Sequence, residues 1–194
     1  MSLHQDAVSV LSAWQAPDRS QDELRRRYVD HLRAHHDGLT RDCVPDHLTA
    51  SVLVFSADHS QVLLTLHKRI GRWLQTGGHC EPEDDRLADA ALREGREETG
   101  IDDLRIDHIP VKLSHHEVPC GPMRPAHHLD VQYVAVAAPG AVATMSDESC
   151  DLRWFDLEEL PAQSDQSVRA LVRVCRDRLE SVGVRLGSVG VRLG

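Results

Sequence analysis

The stretch GGHCEPEDDRLADAALREGREETGI, residues 77–101, constrains the fold more than any other. A glycine pair and a proline-containing loop feed a helical segment that Asp84 or Asp85 can cap and Gly100 can end. At about 100° per residue, Leu87, Ala91, Glu94 and Glu98 share a narrow stripe, with Ala90 and Glu97 flanking it. The face that begins apolar therefore ends acidic. Like-charge pairs at Glu94–Glu98 and Glu94–Glu97 each cost a few tenths of a kcal/mol, on the order of 0.2–0.5, even in water. Partly buried carboxylates cost far more unless neutralised. Arg93 and Arg96 fall elsewhere on the wheel and leave the acids short of counter-charge. A Glu-rich helix is ordinarily a solvated acidic face. Here the acids continue the apolar stripe, and oxygen-only ligands in that position suit a hard divalent cation, Mg²⁺ or Mn²⁺.

The rest of the chain supplies a sheet for this helix to cover. Residues 1–42 read as two helices, the first with Val8, Leu11 and Trp14 on one face. The second opens on a Ser20/Glu23 capping box and stops near Gly38. From Leu48 the period changes: LTASVLVF (48–55) and QVLLTLH (61–67) form a hairpin. Further strands are expected at 111–118, 128–137 and 152–155, and an amphipathic helix at 167–182. Strands and helices alternate without a repeated βαβ unit, so the expected class is an α/β sandwich on a mixed sheet, preceded by an N-terminal helical segment. At 194 residues, the chain reads as a main domain over 43–180 and a flexible tail over 181–194, where SVGVRLG occurs twice. Aromatics are only 4%, so the core must be aliphatic.

Gly78, Arg93-Glu94, Glu97-Glu98, Gly100 and Ile101 together resemble the Nudix box, G-x5-E-x7-R-E-U-x-E-E-x-G-U, where U is bulky and aliphatic. Four departures stand out. One extra residue lies between Gly78 and Arg93. Asp84 or Asp85 replaces the first glutamate. Gly95 occupies a U position, at a helix cost of about 1 kcal/mol relative to alanine. Thr76 stands where a proline usually precedes the glycine pair. The resemblance implies an α/β/α sandwich and hydrolysis of a diphosphate linkage in a nucleoside diphosphate derivative or related small molecule. It implies Glu97 and Glu98 as metal ligands, Glu94 as a ligand or as the group that orients or deprotonates water, and the Gly78 carbonyl as a further ligand. Arg93 would orient a glutamate through a forked hydrogen-bond pair. Glu148, ahead of the 152–155 strand, would add a late carboxylate. Lys68, Arg69 and Arg72, in the turn before the box, would meet substrate phosphates or lie in solvent.

The formal charge of −9, from 31 acids against 22 Lys and Arg, argues against a nucleic-acid polymer as partner. No apolar run is long enough to span a membrane, and the N-terminus lacks a secretory pattern. Five scattered cysteines without a CxxC pair fit reduced thiols and a cytoplasmic setting. The sheet edges and the added helices are compatible with a homodimer. The thirteen histidines, including the His31/His35, His115/His116 and His127/His128 pairs, read as structural or solvated groups. His79 is expected to brace the loop, and Cys80 to be inert. Two rival functions remain open: a catalytically silent nucleotide-sensing domain, and an isopentenyl diphosphate isomerase. The isomerase pattern needs a cysteine two residues before the histidine, where this chain has Gly77.

Overall fold

The computed structural model describes residues 1–118, 125–146 and 149–187. In chain order the elements are α1 (Leu3–Ala13), α2 (Arg19–Ala34), β1 (Asp46–Phe55), β2 (Gln61–His67), β3 (Trp73–Leu74), β4 (Thr76–His79), α3 (Leu87–Thr99), β5 (Leu104–Ile106), β6 (Lys112–Val118), β7 (Ala126–Ala137), β8 (Ser149–Asp156) and α4 (Gln166–Gly187). All the strands join one curled sheet. Its centre is a parallel pairing of β1 with β7, in register from Asp46↔His127 to Phe55↔Val136. Every other pairing is antiparallel: β4 and β2 lie beside β1, β3 and β8 beside β2, and β6 and β5 beside β7. The mixed sheet is the expected one, and its 48–55/61–67 hairpin is present at its closed end, through Val54↔Leu63 and Phe55↔Val62.

Both faces of β1 are buried, which is why it reads as a near-continuous apolar run. Leu48, Ala50, Val52 and Val54, with Leu129, Val131 and Tyr133 of β7, pack under the first three helices. Leu53, Phe55 and Val134 face α4 through Val168, Leu171, Val172 and Cys175. The result is an α/β/α sandwich. The N-terminal helices are part of its core: Ala7 and Leu11 of α1 and Tyr28 and Leu32 of α2 are fully buried in the same cluster as Leu87 and Ala91 of α3.

Several boundaries differ from expectation. Helix α2 begins two residues earlier because Asp18 caps it, accepting from the Gln21 N–H (2.9 Å) while the Ser20 hydroxyl donates to the same carboxylate. It ends at His35, before Gly38. Helix α3 begins at Leu87, and neither Asp84 nor Asp85 caps it. The buried Asp6 of α1 does, accepting from the Leu87 N–H at 3.0 Å. Three short strands, β3 to β5, join the sheet through backbone pairing. Helix α4 runs on through Gly187 and so takes in the first SVGVRLG copy, and the second copy lies outside the described residues.

Candidate active site

Helix α3 buries Leu87, Ala88, Ala90, Ala91, Gly95 and Thr99 against the sheet. Its last two turns keep Gly95 and Thr99 on the sheet and carry the acids beside them. Glu94 is half-buried, with its side chain 14% exposed, whereas the flanking Glu97 is 60% exposed. The glycine pair of β4 comes up against this face. A β-carbon on Gly78 would stand 2.5 Å from Glu94 Oε1, so only glycine leaves room for that carboxylate. The Gly77 N–H donates to Glu98 Oε1 at 2.7 Å. A β-carbon on Gly77 would stand 2.3 Å from the Ser51 β-carbon and 2.6 Å from its α-carbon, so β4 can lie this close to β1 only without a side chain there. That leaves no room for the cysteine an isomerase would need at position 77. Cys80 does not replace it, because burial pushes its thiol up to about 12.

Arg93 lies at the centre of the acids, and this corrects the helical-wheel argument, which placed it elsewhere. Nε and Nη2 form a forked pair with the two oxygens of Asp84 (3.2 and 3.1 Å). Nη1 donates to Glu94 (3.0 Å) and Glu97 (3.2 Å), and Nη2 also donates to the His79 carbonyl (2.8 Å). Burial works against the guanidinium charge, but the bonds it donates to Asp84 and Glu94 outweigh it and hold Arg93 firmly protonated. The fork thus goes to Asp84, and Glu94 and Glu97 each receive a single bond. Asp84 is nearly fully buried while Asp85 is exposed, so Asp84 takes the first acidic position and the extra residue falls between it and Arg93.

The other departures are packing solutions. A β-carbon on Gly95 would stand 2.8 Å from Val52 Cγ1. Helix α3 lies too close to β1 for the bulky residue of the pattern. The same β-carbon would be 3.8 Å from Thr76 Oγ1, which donates to the Val52 carbonyl at 3.0 Å. The two departures are thus neighbours in space.

Glu148 lies outside the described residues, as do residues 119–124 and 147. Lys68 and Arg69 stand in the exposed turn between β2 and β3, and Arg72 is within 3.6 Å of Asp165. Among the described residues Cys43, Cys80, Cys150 and Cys175 are free thiols. No helix among them is long and apolar enough to cross a membrane.

Sequence spacing missed two things. One is Asp6, whose role depends on α1 docking against α3. The other is the grouping of side chains whose donor atoms lie within 4.8 Å of one another. Among the described residues such groups are His47/His79/His128, His35/Asp37/Cys43 and Asp46/His115/His127. The box carboxylates form no such group; they are spread around Arg93 and the glycine pair. The donor set there is nonetheless all oxygen, held beside an exposed cradle, and fits a hard cation.

The NUDIX domain profile matches residues 45–174. No curated protein matches the chain. Solved structures of the same fold include a Nudix-family hydrolase from Clostridium perfringens, at 22% identity and TM-score 0.58, which aligns with 69% of this chain and 97% of that one. An Ap4A hydrolase from C. elegans aligns at 19% identity and TM-score 0.59, over 69% and 98% of the two chains. The E. coli dihydroneopterin triphosphate pyrophosphohydrolase aligns at 18% identity and TM-score 0.55, over 65% and 92%. With Arg93 and the box glutamates on one helix against the glycine pair, and the profile spanning most of the sequence, the chain belongs to the Nudix hydrolase family.

Proposed function

We propose that this protein hydrolyses a diphosphate linkage in a small nucleoside diphosphate derivative, with Mg²⁺ or Mn²⁺ held by Glu94, Glu97, Glu98 and the Gly78 carbonyl. The observation that carries this reading is the packing of Glu94 and Glu98 against Gly78 and Gly77, with Arg93 bridging Glu94, Glu97 and Asp84. A divalent ion bound there would neutralise the acids, polarise phosphoryl oxygens and lower the pKa of attacking water.

The chain's own groups supply the rest. Glu94, half-buried and fixed by Arg93 Nη1, accepts the proton of the attacking water or aims that water at phosphorus. Glu98 is aimed by the Gly77 N–H. The Arg93–Asp84 fork fixes the guanidinium, so its remaining donor holds Glu94 and Glu97 in place before substrate arrives. Glu148 is retained as a further carboxylate for the reaction, and Lys68 and Arg69 as phosphate contacts. The net charge of −9 makes a free anionic substrate an unfavourable partner until these acids are neutralised. We place the protein in the cytoplasm on the strength of its free thiols.

The test is a panel of dinucleoside polyphosphates, nucleotide sugars and nucleoside triphosphates assayed with Mg²⁺ or Mn²⁺, with phosphorylated products followed by ³¹P NMR. Glu97→Gln and Glu98→Gln should each lower turnover by about 100-fold or more while the melting temperature holds. Wild-type turnover in both variants would remove the assignment. Tight nucleotide binding without turnover under either metal would move the protein to the sensing class.

A further inference from the structure

Helix α4 covers the sheet face bearing Leu53 and Phe55, and at the other end of that face three imidazoles arrive from three strands. His47 of β1 and His128 of β7 are register partners. His79, at the end of β4, is the partner of Thr49, the next β1 residue on the same face as His47. Ring centroids are 5.0 Å apart in all three pairs. One nitrogen from each ring lies within 4.8 Å of the other two.

His47 distinguishes this cluster from chance crowding. It is only 5% exposed. Its Nδ1 lies 3.1 Å from the Cys43 carbonyl oxygen. A carbonyl can only accept, so Nδ1 carries the proton and Nε2 keeps its lone pair. That buried Nε2 has no hydrogen-bond partner among the described residues. A buried acceptor left without a partner is costly, and a metal ion is one means of satisfying it. A backbone carbonyl on the far nitrogen is also the usual support of a metal-bound imidazole, because it fixes the tautomer and the ring orientation.

We propose that His47, His79 and His128 form a zinc site separate from the glutamates of the box. Imidazole nitrogens favour Zn²⁺ over the hard ions that suit carboxylates, so the two sites sort different metals. Zinc–nitrogen bonds of about 2.1 Å would set the final spacing of the three donors. The fourth tetrahedral position goes to water or to a ligand oxygen. Because His79 directly follows Gly78, the ion would tie the end of β4 to β1 and β7 and brace the glycine pair against α3.

The experiment uses the tag-free full chain, stripped with chelator and titrated with zinc alone by calorimetry and with cobalt(II) alone by visible absorption. The expected result is one zinc per chain at neutral pH and the ligand-field bands of four-coordinate cobalt. His47→Gln and His128→Gln should each weaken zinc binding by more than about 100-fold. The Glu97→Gln/Glu98→Gln double variant should keep zinc affinity within about threefold, so that failure of the catalytic reading leaves this result standing. Absence of one-to-one binding to the wild type overturns the proposal. Unchanged affinity in the histidine variants does the same, and so does loss of binding in the glutamine double variant. Circular dichroism checks each variant. If His47→Gln unfolds, the partly exposed His128→Gln decides.

Discussion

At the scale of single residues, the two glycines of β4 look alike in sequence and differ in what surrounds them. On Gly78 a methyl group would meet the Glu94 carboxylate, the far end of a side chain that can swing away. On Gly77 it would meet the β-carbon and α-carbon of Ser51 and the Ala50 carbonyl, which cannot, and the backbone φ of 158° adds strain. Gly78→Ala should therefore leave the urea midpoint near wild type while turnover falls about 100-fold, the cost of moving a catalytic group by an ångström. Gly77→Ala should cost about 2–4 kcal/mol of stability in the same denaturation experiment. Equal stability losses in the two variants would contradict this reading. The glutamates and Arg93 were legible in the sequence because they share a fixed spacing on one helix. Their counter-charge was not: the wheel describes where Cβ points, and the Arg93 side chain reaches back to Asp84 in the loop before α3 and forward to Glu97. His47, His79 and His128 were equally hidden, since only the pairing of β1 with β4 and β7 brings them together.

At the scale of elements, periodicity read the long strands and the helices to within a few residues. It missed β3, β4 and β5, which are too short to show a period. TGGH in particular pairs closely with β1 because its two central residues lack side chains, the opposite of a strand signal. Helix caps were misread where tertiary contacts supply them, as Asp6 does for α3. Gly95 shows the same conflict between local and global preference. Alanine there should add about 1 kcal/mol of helix propensity, yet its methyl carbon would stand 2.8 Å from Val52 Cγ1. Overpacking of that kind costs about 1–3 kcal/mol, so Gly95→Ala should be net destabilising in wild type. With Val52→Ala in place the clash is gone, and Gly95→Ala should then stabilise by about 1 kcal/mol. The double-mutant cycle measures that reversal. Additive effects would mean that α3 does not rest on β1 as closely as the geometry shows.

At the scale of the whole molecule, the question is whether residues 1–42 are an appendage or a layer of the fold. The domain profile begins at residue 45, and a division at that point follows the sequence pattern. The packing runs against it. Leu11, Tyr28 and Leu32 are fully buried, and Trp14 and Val29 nearly so, in a cluster shared with α3 and the sheet. Fully burying each such side chain stabilises by about 1.5–3 kcal/mol, so their combined contribution rivals the 5–15 kcal/mol of a typical domain. Asp6 adds the cap of the helix that carries the glutamates. A chain starting at residue 43 should therefore lose its cooperative thermal transition and bind a hydrophobic dye, rather than behave as a free-standing catalytic domain. Asp6→Ala separates the two contributions. It leaves the apolar contacts in place and removes only the acceptor for the Leu87 N–H, so the protein should stay folded with a loss of about 1–2 kcal/mol. Because α3 carries Glu94 and Glu98, that loss should appear first as faster amide exchange in its opening turn. A truncated chain that melts cooperatively at the wild-type temperature would show that the N-terminal helices are an ornament on the sandwich.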